Sequence, residues 1–176
     1  AQRDIDSAQR ILENLLRDYP DDSAVQLLRV DLMIAQNQKQ KAKETLEELL
    51  EKMPRSASVV KYAATFLVRQ DMLSEAENIL KTARKNITQN PDQIHITLML
   101  TDVLEMRQKY PQAQNLLNDM LTKNPNSIIL NRRLLSLART SQIEIDSAKI
   151  ISKIKDIEGA EGKHWRYEQA LAYLRE

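Results

Sequence analysis

Cysteine is absent from the 176 residues, so the chain holds no disulfide, thiolate nucleophile or zinc–thiolate site. Glycine occurs twice, at Gly159 and Gly162 in one short stretch, which excludes a glycine-rich phosphate loop. Aromatic residues make up 4% of the chain, with one Phe and one Trp. Sheets favour aromatic and β-branched residues, so this scarcity argues for helices packed on Leu, Ile and Ala. Neither sign of charge is in excess: 26 basic and 25 acidic residues leave a formal net charge of +1. Residues 1–88 carry 14 of each sign, and residues 89–176 carry 12 basic against 11 acidic. Neither half has the basic surplus of a phosphate-binding face, so nucleic acid is not an expected partner. No apolar run approaches the ~20 residues needed to span a bilayer, so direct membrane insertion is not expected. No secretory signal is visible.

Catalytic constellations are missing too. His95 and His164 lie about 70 residues apart, and neither has a second histidine at helical spacing. No Gly-x-Ser-x-Gly elbow surrounds any serine. The chain reads as a non-enzyme with no cofactor and no metal. Adjacent carboxylates such as Asp21 and Asp22 read as helix caps. Met99, Met106 and Met120 read as packing in irregular gaps.

What the chain does have is a ladder. Ala8, Ala42, Ala76, Ala113 and Ala148 fall 34, 34, 37 and 35 residues apart, and Pro20, Pro54, Pro91 and Pro125 fall 34, 37 and 34 apart. A period in the mid-thirties held by two residue types signals stacked repeat units. Alanine early in a helix lets a neighbouring helix approach closely, and proline after a helix ends it. Asp21, Asp22, Ser56, Asp92, Asn126 and Ser127 follow the prolines and read as caps of the next helices.

The pattern resembles the tetratricopeptide repeat, a helix–turn–helix unit of 34 residues. The second-helix half of its consensus matches at Ala8, Leu12 and Pro20, at Ala42, Leu46 and Pro54, at Ala76, Leu80 and Ala83, and at Ala113, Leu117 and Pro125. The first-helix half is degenerate: Val60, Ala63, Ala64 and Leu67 fit it best. Thr97, Leu100, Thr101 and Leu104 follow, then Asn131, Leu134, Leu135 and Ala138, then Gln26, Arg29, Val30 and Met33. The resemblance implies an all-α, right-handed solenoid of antiparallel helix pairs with about ten helices. As a single array, the chain divides into a second helix of a truncated repeat at 1–20, full repeats at 21–54, 55–91, 92–125 and 126–159, and the first helix of a further or capping repeat at 160–176. It opens in mid-unit, which suggests a fragment of a larger protein.

Taken in order, residues 1–3 lead into a helix to about Asp18 with an Ile5, Ile11, Leu12, Leu15 and Leu16 stripe. Helix pairs follow at about 22–36 with 39–53, 56–70 with 73–89, 92–108 with 111–123, and 127–141 with 144–157. In the third unit three extra residues separate Ala76 from Pro91, which implies a longer second helix or an ordered tail at 88–90. In the fifth unit Ser152 and Lys155 stand where large apolar and small residues belong. The last helix, about 162–175, is apolar on more than one side.

Two sites known in the family map poorly. The places of the two-carboxylate clamp hold Lys61, Thr65, Met99, Ile129 and Arg133, without either asparagine or the second lysine. The places of an asparagine ladder hold Leu28, Tyr62, Met99 and Arg133. The resemblance further implies that first helices line a concave face. Its inward places, Lys61, Thr65, Leu98, Asp102, Glu105, Arg132, Ser136 and Arg139 among them, mix both charge signs with apolar residues. Such a face suits an extended peptide or a partner helix. Asp102 with Glu105 forms an acidic strip, and Arg132 with Arg139 a basic one.

Three functions stay open at this level: a protein-binding scaffold, a structural segment that self-associates, and a regulatory repeat region of a larger enzyme. A helical-repeat RNA reader is a further alternative, opposed by the balanced charge. For self-association the candidate patch is Trp165, Tyr167, Leu171 and Leu174. In the alternative reading Trp165 and Tyr167 fold back onto Ile154 and Ile157.

Overall fold

The computed structural model describes residues 2–141 and 143–174, with side chains from residue 4 onward. Ala1, Gln142, Arg175 and Glu176 lie outside the described residues, and with them the first residue of the expected lead-in and the last residue of the expected final helix. Among the described residues there are ten helices and no strand. They are α1 (Gln2–Asp18), α2 (Ser23–Ala35), α3 (Lys39–Lys52), α4 (Ala57–Arg69), α5 (Leu73–Asn86), α6 (Asn90–Met106), α7 (Tyr110–Lys123), α8 (Ile128–Thr140), α9 (Ser147–Glu158) and α10 (Lys163–Tyr173).

Two compact units divide the chain, one up to Ile96 and one from Thr97, with the division inside α6. In the first unit α1 packs on α2, α2 on α3 and α4, α3 on α4, and α4 on α5. In the second, α7 packs on α8, α8 on α9 and α10, and α9 on α10. The first helices α2 and α8 therefore each meet both their own second helix and the next first helix, as stacked helix hairpins require.

Two kinds of turn repeat along the chain. Between the helices of one pair, a single residue adopts the left-handed conformation: Asn37 (φ 60°), Asp71 (φ 60°) and Gln108 (φ 57°). The next N–H reaches back five residues, Gln38 to Met33, Met72 to Leu67 and Lys109 to Leu104, at 2.8–2.9 Å. This closure satisfies carbonyls that a helix end leaves open. Glycine would be the easiest residue here, yet the chain uses Asn, Asp and Gln.

Between pairs, proline sits second in a four-residue turn. The Asp22, Ser56 and Ser127 N–H groups donate to the carbonyls of Tyr19, Met53 and Asn124, at 3.3, 2.9 and 3.1 Å. Pro20, Pro54 and Pro125 are thus the pre-set second residue of a reverse turn. Asp22 then caps α2, accepting from the Ala24 and Val25 N–H groups at 2.8 and 3.0 Å. Ser56 caps α4 through the Val59 N–H at 3.4 Å. Ser127 holds the same place before α8 without a side-chain cap bond.

Pro91 departs from this rule. α5 ends at Asn86, and α6 already begins at Asn90, so Pro91 lies in the first turn of α6. The expected ladder rung that ends a second helix is here a helix-opening proline. Asp92, expected as a cap, is also inside α6. The three extra residues of this unit form the connection after α5 and do not lengthen the helix.

Ala42, Ala76 and Ala113 are fully buried, each followed four residues later by a buried Leu46, Leu80 or Leu117. The two end rungs do not follow. Ala8 is exposed, in a shallow groove between α1 and α2. Ala148 is exposed because α9 starts later than the ladder implies. Counted from the helix start, Ala42, Ala76 and Ala113 are each fourth; the fourth residue of α9 is Ile150. Its partner four residues on is Ile154, fully buried. The misfit of Ser152 and Lys155 disappears in this frame, since the packing position is Ile154. The connection from α8 to α9 has absorbed the shift.

Both glycines have physical reasons. Gly159 ends α9 at φ 79°, and a Cβ on Gly162 would collide with the Glu158 Cβ. That close approach lets Glu158 cap α10, its Oε2 accepting from the His164 and Trp165 N–H groups at 3.0 Å each.

Candidate functional site

In the first unit, α2 and α4 flank a groove of about 400 Å³. Ile34 and Phe66 give it an apolar part, and Ser58, Lys61 and Thr65 a polar one. Lys39, Arg69 and Gln70 line it where the two helices end. The Tyr62 hydroxyl donates to the Asp31 carboxylate across it. Burial and this bond push the phenol pKa up, against the opposing field of Arg69, so the hydroxyl stays protonated. Lys61 Nζ pairs with Asp92 at 3.4 Å.

The second unit is built from closed ion pairs. Arg133, an inward place of the clamp comparison, bonds Asp102 through Nε at 3.0 Å and also meets Glu105. The Thr140 hydroxyl donates to Glu105 as well. Burial pushes the Asp102 carboxyl up and neighbouring Glu105 adds to this, with Arg133 opposing. Burial would raise Glu105 too, but Thr140 and Arg133 overcome it and hold that carboxyl below the usual range. Arg132 and Arg139 converge elsewhere, on Glu168 of α10, at 2.8 and 2.6 Å. Glu168 is 1% exposed. The expected acidic strip is therefore matched by Arg133, and the expected basic strip by a buried carboxylate of its own chain. Leu98 and Ser136 are half-buried on α6 and α8.

Trp165 packs against the cluster of Leu135, Ile151 and Ile154, with Lys155 Nζ 4.8 Å from its ring centre. Its Nε1–H donates to the Gly159 carbonyl at 3.1 Å. Tyr167 does not fold back; it is exposed, 5.4 Å from the Arg132 guanidinium. Leu171 is half-buried and Leu174 exposed.

Sequence reasoning passed over Tyr62 as a tie to Asp31, and Phe66, Arg69 and Glu168 altogether. The available signal was a spacing of 31. Asp31–Tyr62, Lys61–Asp92 and Asp102–Arg133 are each 31 residues apart. That is one repeat less about one helical turn, the offset that puts residues of successive first helices side by side.

Among the described residues no cluster of three or more His, Asp or Glu is arranged to hold a metal ion. No described helix is long and apolar enough to cross a membrane.

Comparison with known proteins follows this geometry. Residues 1–63 match the family model of the tetratricopeptide repeat. Among curated proteins no relative matches. Solved structures share the fold. The PilF protein of Pseudomonas aeruginosa is 17% identical with a TM-score of 0.63, over 99% of this chain and 83% of its own. The MamA protein is 16% identical with a TM-score of 0.61, over 89% of this chain and 84% of its own. YrrB, described as a tetratricopeptide-repeat protein with an unusual peptide-binding site, is 17% identical with a TM-score of 0.56, over 93% and 82%. Proteins of this fold are generally non-catalytic scaffolds for protein–protein interaction. The chain is thus similar to tetratricopeptide-repeat proteins: residues 1–63 match the family's sequence pattern, and the fold of paired helices is shared with these solved structures over 89–99% of the chain.

Proposed function

We propose that the chain is a non-catalytic scaffold that takes an extended peptide of a partner protein between α2 and α4. The observation that carries this reading is the groove itself. It combines an apolar floor at Ile34 and Phe66 with hydrogen-bonding side chains at Ser58 and Thr65. Its volume of about 400 Å³ falls within the ~300–1,000 Å³ of ligand sites. Lys61 and Thr65 are the inward places of the sequence reading that it uses. In the second unit Asp102, Glu105, Arg132 and Arg139 hold the repeats together, and Leu98 and Ser136 are the inward places that carry no charge.

Selection of a random peptide library on the purified chain, followed by anisotropy of the selected peptides, tests this. Thr65→Trp should fill the groove and abolish binding, whereas Asn78→Trp on exposed α5 should not. Equal affinity for wild type and Thr65→Trp places the site elsewhere.

A second reading, association between copies, is favoured by the apolar groove between α1 and α2. Ile5, Leu12 and Leu32 line it, and Ile11 and Leu28 stand exposed beside them. Sedimentation over a hundredfold concentration range should then show oligomers that Ile11→Glu with Leu28→Glu removes. A monomer throughout rejects it.

A further inference from the structure

We infer that the groove between α2 and α4 selects a partner peptide bearing an acidic side chain beside a large apolar one, with Lys39 and Arg69 holding the carboxylate. This rests on the peptide-binding reading above and specifies its ligand.

The argument is a balance of charges. Lys39, Lys61 and Arg69 line the groove against one carboxylate, Asp31. Asp31 is held by the Tyr62 hydroxyl but keeps its charge, and Lys61 is matched by Asp92, so the three cations against these two carboxylates leave the groove one positive charge in excess. Lys39 and Arg69 have no ion-pair partner among the described residues, and both are exposed. In the second unit the corresponding demand is met internally: Arg132 and Arg139 have Glu168, and Arg133 has Asp102 and Glu105. The cationic end of the α2–α4 groove is thus open to a carboxylate from outside. Arg69 offers a planar fork suited to a carboxylate, and Lys39 a mobile point charge. The apolar side chain of the ligand would rest on Ile34 and Phe66, where walls on both sides reduce solvent screening of the adjacent charge pair.

The probes are three fluorescein-labelled hexapeptides, identical except for a central Leu-Glu, Leu-Gln or Leu-Lys, read by anisotropy at low and high salt. The Glu peptide should bind at least about tenfold tighter than the Gln peptide, and the Lys peptide weakest, with the preference shrinking as salt rises. Lys39→Gln with Arg69→Gln should remove the preference and leave the circular dichroism unchanged. Equal affinity for Glu and Gln peptides, both lost in Thr65→Trp, overturns the acidic selection while leaving the groove reading intact. A Glu preference that survives the double Gln variant also overturns it. Absence of binding by all three peptides, or a Glu preference that survives Thr65→Trp, overturns both.

Discussion

Arg132 Nε donates to Glu168 Oε1 at 2.8 Å, bringing a first-helix guanidinium onto a carboxylate that has almost no solvent of its own. Arg139, two turns along α8, completes the cage at 2.6 Å. A buried carboxylate stripped of its partners is strongly destabilising, whereas one remaining partner offsets much of the penalty. Replacing both arginines by Ala should therefore cost about 3 kcal/mol, and either alone clearly less. The fluorescence of Trp165, the one tryptophan, reports the loosening of α10. A double variant with an unchanged melting curve and unchanged Trp emission refutes the cage. For the same reason, reversing both arginines to Glu is no test of partner binding, because it sets three carboxylates against one another.

The buried alanines set a second test. Ala42→Leu and Ala76→Leu each insert three carbons at a fully buried helix contact and should cost roughly 1–3 kcal/mol. Ala148→Leu, on the exposed side of α9, should change stability by less than about 0.5 kcal/mol. Thermal midpoints that rank these three the other way would return Ala148 to the ladder and remove the frame through Ile150 and Ile154.

Left-handed turns without glycine predict a gain. Gln108 holds φ 57° with a side chain that disfavours that conformation. Gln108→Gly should stabilise the chain by about 1 kcal/mol, with a smaller gain at Asn37, since Asn tolerates the region better. Denaturant midpoints measure both. A loss at Gln108 would mean that its side chain contributes more than the backbone strain it carries.

Glu158 supplies a pH dependence. Burial would raise its carboxyl, but the His164 ring and the N–H groups it caps hold it below the ordinary 4.5. A carboxyl depressed in the folded state adds stability that is full above the unfolded value and is lost as pH falls through the folded one. Wild type should therefore lose stability below about pH 4.5 more steeply than Glu158→Gln, and the two curves should converge in acid. Parallel curves from pH 7 to 3 would show that the carboxylate charge is not what caps α10.

Much of this was legible in the residues. The Ala–Leu spacing of four and the Pro-led turns put α2 to α8 within a few residues of their observed bounds. At α5 and α6 the same rule misled, because Pro91 is equally at home after a helix and in the first turn of one. At α9 it misled because Ala148 is an alanine by composition only; its connection to α8 had moved the packing register on to Ile150. Local chemistry cannot distinguish these cases, since both alternatives satisfy the same backbone.

The sequence by itself determined the helices, their pairing by short turns and the all-α repeat class. Those depend on a period of 3.6 residues and on turn residues that act over at most six positions. Only the tertiary structure decided what the charges do. Arg132, Arg133 and Arg139 are three arginines of one helix, and nothing local says that each meets its carboxylate 28–36 residues away in sequence. Which cations are neutralised internally, and which two at the α2–α4 groove are not, depends on which helices lie side by side. That is set by the packing of Ala42, Ala76, Leu46 and Leu80 and by the lengths of the connections, at a range no local pattern carries.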